Sequence, residues 1–402
     1  MTSNAEAISW ITEVQIENYR SLAHVVVPLS RLTVLVGPNG SGKSNFTDAL
    51  RFVADSLNGT LSLALKQRGG IGAVRRISAG HPNNFGVRLR ANLSDDTLVD
   101  FSFEIAAASP GNFVVRRERC EVRRLFQVNA AYEVQNGEFT AQVPGIRARI
   151  EPDRFALTIL SATEEFRPVF DFLSRMRFYS LVPDRIREIQ DPDAGDVLTR
   201  DGSNAAAVLR EMKRNNRDDY DRVCRLLSKV VPGVSAVEYH SLGQKETLKF
   251  KQDVGSDWPW TFEALNMSDG TLRVLGILLA VYQSSTPAVV VIEEPEATIH
   301  PAAMDVLVQI LRDGQYRSQV LVTTHSPDVI DNKAISDENI RVVEKQRGRT
   351  IVSTMGLLSR ESVKQKLYSL GDLMRSGELE PDRDAAEALS QQLDLFGPPT
   401  QD

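Results

Sequence analysis

Apolar and polar positions follow three regimes along the chain. Short β-rich runs open it at 11–16, 24–27 and 32–36. A helix follows, with Phe46, Leu50, Phe52, Val53 and Leu57 near helical spacing. Strand-like runs bounded by turn residues then cover 86–93, 97–105, 113–128 and 132–142, the last around Asn136-Gly137, a hairpin signal. Together they predict an antiparallel sheet appended to the first strands. Between 152 and 232 the period becomes helical: Phe166, Val169, Phe170, Leu173 and Met176 share one face. Val208, Leu209 and Met212 repeat the pattern, as do Tyr220, Val223, Leu226, Leu227 and Val230. No heptad register outlasts one helix, so no long coiled coil is expected. Strands return at 234–240 and 247–251, an α/β segment runs over 272–352, and residues from 377 read as a solvated polar tail. The fold class is α/β. The domain reading is an N-terminal lobe at 1–145, a helical insertion at 146–233, a C-terminal lobe at 234–376 and a tail at 377–402.

Composition narrows the setting. The 402 residues allow a large core, with 42% apolar and 25% charged residues as in soluble globular chains. No run approaches the ~20 apolar residues of a membrane helix, and residues 1–9 lack the pattern of a signal peptide. Two cysteines, Cys120 and Cys224, leave no disulfide framework or thiolate cluster, and a reducing cytoplasm fits. The net charge of −6 argues against coating nucleic acid over the whole surface but allows a local basic patch.

Three segments carry chemistry. Gly37-Pro38-Asn39-Gly40-Ser41-Gly42-Lys43-Ser44, between an apolar strand and a helix, is a phosphate loop. Its glycines let backbone N–H groups turn toward a polyphosphate at the helix N-terminus. Lys43 is placed to reach the β- and γ-phosphates, and the Ser44 hydroxyl to sit on Mg²⁺. The chain is expected to bind ATP. The apolar strand 289–292 ends in Glu293-Glu294-Pro295-Glu296; Glu293 is read as a metal-shell ligand and Glu294 as the base that orients water. The strand at 320–324 ends at His325, a donor to a γ-phosphate and a switch. Ser268 and Gly270 precede an apolar helix. They are either a simple N-cap or a helix start that grips the γ-phosphate of a nucleotide bound to another subunit.

In this order the elements resemble the Walker A, signature, Walker B and switch-histidine elements of ABC-type ATPases. Ser268 and Glu293 are 25 positions apart, a compact spacing, whereas 225 positions separate Lys43 from Ser268. That insertion, with "EEPEATIHP", "TTHSPDVI" and the opening "VQIENYRSL", is similar to the SMC/RecF/OLD group, especially short-armed stand-alone members. The resemblance implies an ABC-type ATPase head that hydrolyses ATP with Mg²⁺. It also implies a homodimer, in which Lys43 and Glu294 of one chain meet Ser268 and Gly270 of the other. Work on DNA or on a separate nuclease or effector chain, in DNA repair or anti-phage defence, is implied as well. The alternative is a slow-turnover, ATP-stabilised scaffold. Three positions depart from the pattern: Glu293 replaces the usual aspartate, Asp269 a signature glycine, and Gln67 is only a candidate Q-loop residue, the alternative being a surface glutamine. A fused TOPRIM nuclease is not expected.

Two surface readings remain. Arg116, Arg117, Arg119, Arg123 and Arg124, with Arg88 and Arg90, form either a DNA-phosphate patch or a solvated strand face broken by Glu118 and Glu121. Gln392-Leu393-Asp394-Leu395-Phe396 resembles the peptide by which bacterial proteins dock on the sliding clamp. The alternative is that Leu393, Leu395 and Phe396 fold back as a C-terminal staple.

Overall fold

The computed structural model describes residues 8–78, 80, 82–93, 97–109, 111–124, 127–141 and 149–397. The chain forms two compact units, one of residues 1–176, 337–368 and 376–402, the other of residues 177–336 and 369–375.

In the first unit β1 (Trp10–Tyr19), β2 (Leu22–Pro28) and β3 (Leu32–Val36) precede α1 (Lys43–Asn58). Short helices α2 (Leu61–Lys66) and α3 (Ile71–Val74) lead to β4 (Asn84–Leu93), β5 (Thr97–Ala107), β6 (Phe113–Arg124), β7 (Gln127–Gln135) and β8 (Glu138–Ala141). Among the described residues these build a seven-stranded antiparallel sheet, ordered β2-β1-β4-β5-β6-β7-β8. The Asn136-Gly137 hairpin forms with φ of 49° and 86°, the left-handed pair that a tight I′ turn requires. The run 113–128 is two strands rather than one, Arg124 pairing back with Gln127. The expected strand end at 142 lies outside the described residues.

The apolar face of α1 anchors this unit. Phe52 sits 5.5 Å from Phe85 and 6.1 Å from Phe103, ring centre to ring centre, and Phe103 lies 4.7 Å from Phe155. Full burial of each such ring stabilises by about 1.5–3 kcal/mol. Asp48, also on α1, accepts hydrogen bonds from Tyr19, Arg51 and Arg68 and pairs with Arg20. Burial opposes its ionisation, but Arg68, the Tyr19 hydroxyl, Arg51 and Arg20 together hold the carboxyl below its usual range. Gln67, beside the buried Arg68, is an exposed residue ending α2. The unit continues with α4 (Ala156–Leu160) and α5 (Arg167–Ser174). On β6, fully buried Glu118 accepts from Tyr132 Oη and from the Ala156 and Leu157 amides at the start of α4.

The second unit runs through β9 (Met176–Tyr179), α6 (Pro183–Arg187), α7 (Ala205–Asn215) and α8 (Arg217–Val230). It continues with β10 (Val234–Leu242), β11 (Lys245–Gln252), β12 (Trp260–Glu263) and α9 (Asp269–Tyr282). β13 (Val289–Glu293), α10 (Met304–Gly314), β14 (Gln319–Thr324) and α11 (Pro327–Ile330) follow. β14, β13 and β9 lie side by side, β13 and β14 parallel with Glu293 opposite Thr323. Met176 was expected on the helical face of residues 166–173, but α5 stops at Ser174 and Met176 begins β9. Four residues are too few to show a strand period. The first unit resumes with β15 (Ile340–Gln346), parallel to β3, then β16 (Arg349–Ser353) and α12 (Leu357–Lys364). α13 (Leu370–Ser376) returns to the second unit up to Arg375, and α14 (Arg383–Gln391) belongs to the first, capped by Asp382 and tied by Arg383 to Glu344.

The longest helix among the described residues is α1, with 16 residues, so no long coiled coil is present there. No helix of the described residues is long and apolar enough to cross a membrane. Cys120 and Cys224 are free and buried.

Candidate nucleotide-binding site

In the first unit the phosphate loop closes the gap between β3 and α1. Gly40 and Gly42 take φ of 76° and 113°, where an L side chain is strained. A Cβ on Gly42 would overlap the Thr350 side chain, and one on Gly37 the Val343 carbonyl. Thr350 Oγ1 donates to Ser41 O at 2.9 Å and lies 2.7 Å from Ser21 Oγ, which also accepts from Asn45 Nδ2. The loop is therefore braced from β16 and from the turn after β1. Lys43 is buried, its Nζ donating to Gly37 O at 2.6 Å and Pro38 O at 3.0 Å inside the loop. Ser44 is exposed on the first turn of α1. Ser41 Oγ is buried with no hydrogen-bond partner among the described residues. Such an orphaned hydroxyl in a cradle of closely packed backbone fits a polyphosphate ligand.

In the second unit the carboxylates stand at the end of β13. Glu293 Oε2 is 3.3 Å from Arg200 Nη2. Glu294 adopts φ of 46°, its amide donating to Thr323 O at 2.9 Å. This left-handed step at a non-glycine residue lies at the strand end that carries the candidate base. His325 Nδ1 lies 3.5 Å from Glu294 Oε1 and 3.9 Å from Glu296 Oε1. Glu296 is buried; its Oε1 accepts from Thr324 Oγ1 at 2.6 Å and from the His325 amide at 3.3 Å. His300 Nδ1 accepts from Ala302 N and caps its own turn.

Ser268 is the N-cap of α9, accepting from Thr271 N at 3.3 Å. A Cβ on Gly270 would approach Thr298 O to 2.7 Å, so close packing alone demands glycine there. Asp269, the departure from the signature pattern, pairs with Arg187 of α6, which also donates to Met267 O at 3.2 Å. Thr350, Arg200 and Arg187 were not singled out from sequence, and Ser21 and Glu296 were read only as members of their motifs.

Five arginines of the patch pair with carboxylates of the chain. Arg88 pairs with Asp100, Arg116 with Glu104, Arg117 with Glu133, and Arg119 and Arg123 with Glu121. Burial opposes ionisation of Glu121, but hydrogen bonds and charge from Arg123 and Arg119 hold it below its usual range. The tail takes the remaining capacity. Arg88 donates to Asp394 O at 2.5 Å and Gly397 O at 3.0 Å, and Arg119 to Phe396 O at 2.8 Å. Arg117 stacks 4.2 Å above the Phe396 ring. Leu395 is 4% exposed and packs against Gly86. The solvated-tail expectation is corrected, because Leu393-Asp394-Leu395-Phe396 folds back as a staple. Arg88, Arg117 and Arg119 hold that staple as well as their neighbouring carboxylates.

Residues 32–331 match the family described as "AAA domain, putative AbiEii toxin, Type IV TA system". A stretch of 41 residues is 51% identical to structural maintenance of chromosomes protein 1 of Caenorhabditis elegans, amounting to 10% of this chain and 3% of that protein. The fold is similar to a crystal structure of an SMC head bound to the C-winged helix domain of ScpA. There the TM-score is 0.57 at 14% identity, over 87% of this chain and 99% of that one. It is also similar to an SMC head with an extended coiled coil, bound to the C-terminal domain of ScpA, derived from Pyrococcus furiosus. The TM-score is 0.52 at 12% identity, over 90% and 100% of the two chains. The family match spans most of the chain, and the protein belongs to this AAA domain family as an ABC-type, SMC-head-like P-loop ATPase fold.

Proposed function

We propose that the protein is an ATP-binding and hydrolysing molecular switch that dimerises head to head around ATP. The observation that carries this reading is the phosphate loop, braced by Thr350, with Lys43 turned inward and Ser41 Oγ left without a partner. In this reading Lys43 neutralises phosphate charge and Ser44 and Glu293 hold Mg²⁺, which when bound offsets charge on the phosphates. Glu294 takes the proton of the attacking water, and His325 donates to the γ-phosphate. Ser268 and Gly270 of a second copy complete each site, using the free N–H groups and positive end of α9.

The work done by the switch is on DNA or on a separate nuclease or effector chain, in DNA repair or anti-phage defence. The toxin–antitoxin wording of the family description supports the defence branch. SMC heads bound to ScpA domains support a partner chain. We place the protein in the cytoplasm, where ATP and Mg²⁺ are supplied. Docking on a sliding clamp through Gln392, Leu393, Leu395 and Phe396 requires that the staple first leave its sheet.

Nucleotide binding and turnover of two variants test the reading. Lys43→Ala is expected to lose ATP binding. Ser268→Arg is expected to keep binding in the monomer but lose turnover, since it acts on the neighbour's nucleotide. Undiminished ATP binding by Lys43→Ala contradicts the assignment.

A further inference from the structure

Glu293, at the end of β13, is longer by a methylene than the aspartate usual at its position, and the extra reach meets a cation. Its Oε2 lies 3.3 Å from Nη2 of Arg200, which has no other ion pair or side-chain hydrogen bond among the described residues. The loop that carries Arg200 is fixed at several points. Arg200 O accepts from Ser180 N at 3.0 Å and Asp201 O from Val182 N at 3.1 Å, which docks the loop on the stretch after β9, the neighbour of β13 in the sheet. Buried Asn204 accepts from Thr199 N at 2.8 Å and donates to Val197 O at 2.9 Å, closing the base of the loop. Gly202 takes φ of 85°, and a Cβ there would come within 2.7 Å of the Ile186 side chain. A backbone so braced presents its side chain to one place. The adjacent carboxylate is already engaged, Asp201 Oδ1 accepting from Ser203 N at 3.1 Å. All these residues belong to the second unit.

We propose that Arg200 is a positioning residue that holds the Glu293 carboxylate in the absence of metal and releases it when nucleotide arrives with Mg²⁺. The inference rests on the reading of Glu293 as a metal-shell ligand. A guanidinium and a divalent cation both seek the same carboxylate oxygen, so the two compete for Glu293. The pair is open enough to be displaced, with the Arg200 side chain 50% exposed and that of Glu293 26%. While it is closed, Glu293 does not present a bare negative charge to incoming phosphates. Arg200 therefore reduces the advantage that Mg²⁺ gives to nucleotide binding, and it reclaims the carboxylate after the phosphates leave.

The full-length protein tests this with Arg200→Met, Arg200→Lys, Glu293→Asp and the double variant Arg200→Met/Glu293→Asp. Calorimetry gives the Kd of a non-hydrolysable ATP analogue for each protein in EDTA and in saturating Mg²⁺, and the factor by which Mg²⁺ tightens binding is the readout. A thermal melt in EDTA checks that each variant is folded. Competition predicts that Arg200→Met raises this factor about fivefold over wild type, the size of one half-exposed ion pair, and that Arg200→Lys stays within about twofold of wild type. Glu293→Asp, which draws the carboxylate back from the guanidinium, is expected to change the factor less in the Arg200→Met background than in wild type. A factor that Arg200→Met leaves unchanged, or that lysine does not restore, overturns the proposal. So does binding that Arg200→Met weakens equally with and without Mg²⁺, since the guanidinium then serves the phosphates or the fold. A wild-type chain that binds the analogue no better with Mg²⁺ than in EDTA removes the metal reading of Glu293 and the proposal with it. A normal Mg²⁺ effect in wild type that Arg200→Met does not alter removes the proposal alone.

Discussion

His325 Nδ1 lies 3.5 Å from Glu294 Oε1, an imidazole and a carboxylate brought together from the ends of two adjacent parallel strands. Both side chains remain accessible, 43% and 45% exposed, whereas Glu296 behind them is buried. One oxygen of the inner carboxylate is thus held by backbone and hydroxyl donors, and the outer carboxylate is open to a ligand. His325→Gln is therefore expected to lower ATP turnover about a hundredfold while leaving ATP affinity within a few-fold. Single-turnover hydrolysis and equilibrium nucleotide binding check the two halves of that statement.

The C-terminal staple gives a stability prediction. Leu395 is buried, and the Phe396 ring is covered by Arg117. Truncating a buried leucine costs about 2–5 kcal/mol. Leu395→Ala with Phe396→Ala is expected to lower the melting temperature by several degrees, and a thermal melt of the intact protein checks it. An unchanged melt, together with binding of wild-type protein to purified sliding clamp, shows instead that the segment is held loosely enough to serve as a ligand.

Glu118 sets a pH dependence. Burial raises its carboxyl to about 7, against the lowering effect of the Tyr132 hydroxyl and the Leu157 and Ala156 amides. The folded state therefore binds more protons than the unfolded chain between the ordinary value of 4.5 and about 7. Stability from this group is fully present below pH 4.5 and is lost as pH rises through about 7. The shift corresponds to roughly 3 kcal/mol. Glu118→Gln is expected to flatten that part of the melting temperature–pH profile, relative to wild type, in a scan from pH 4.5 to 8.

Much of this architecture was legible in the sequence, for reasons that also explain the gaps. β1 to β5 and α1 announce themselves because their buried residues fall in apolar runs, complete in β3, or at helical spacing in α1. The phosphate loop is readable because its backbone chemistry requires contiguous residues. Thr350 braces that loop from 309 positions away, and nothing local in Arg349–Ser353 marks it as a partner of Ser41. Arg200 at Glu293 and Arg187 at Asp269 come from 93 and 82 positions away, one in a loop and one at the end of the five-residue α6. The two readings of the β6 arginines stayed open because spacing shows which face a charge takes but not whether a carboxylate or a returning tail already occupies it. β9 and β12, at four residues each, are too short for a period to appear.

The central claim, that ATP is both the glue and the fuel of a dimeric switch, is tested most directly by Glu294→Gln. The substitution keeps the shape of the side chain but removes the base. Sizing chromatography of this variant with ATP and Mg²⁺, alongside its phosphate-release rate, is the measurement. The account predicts an ATP-dependent dimer that persists with turnover reduced at least about a hundredfold. A variant that hydrolyses ATP at the wild-type rate, or stays monomeric with ATP bound, contradicts it.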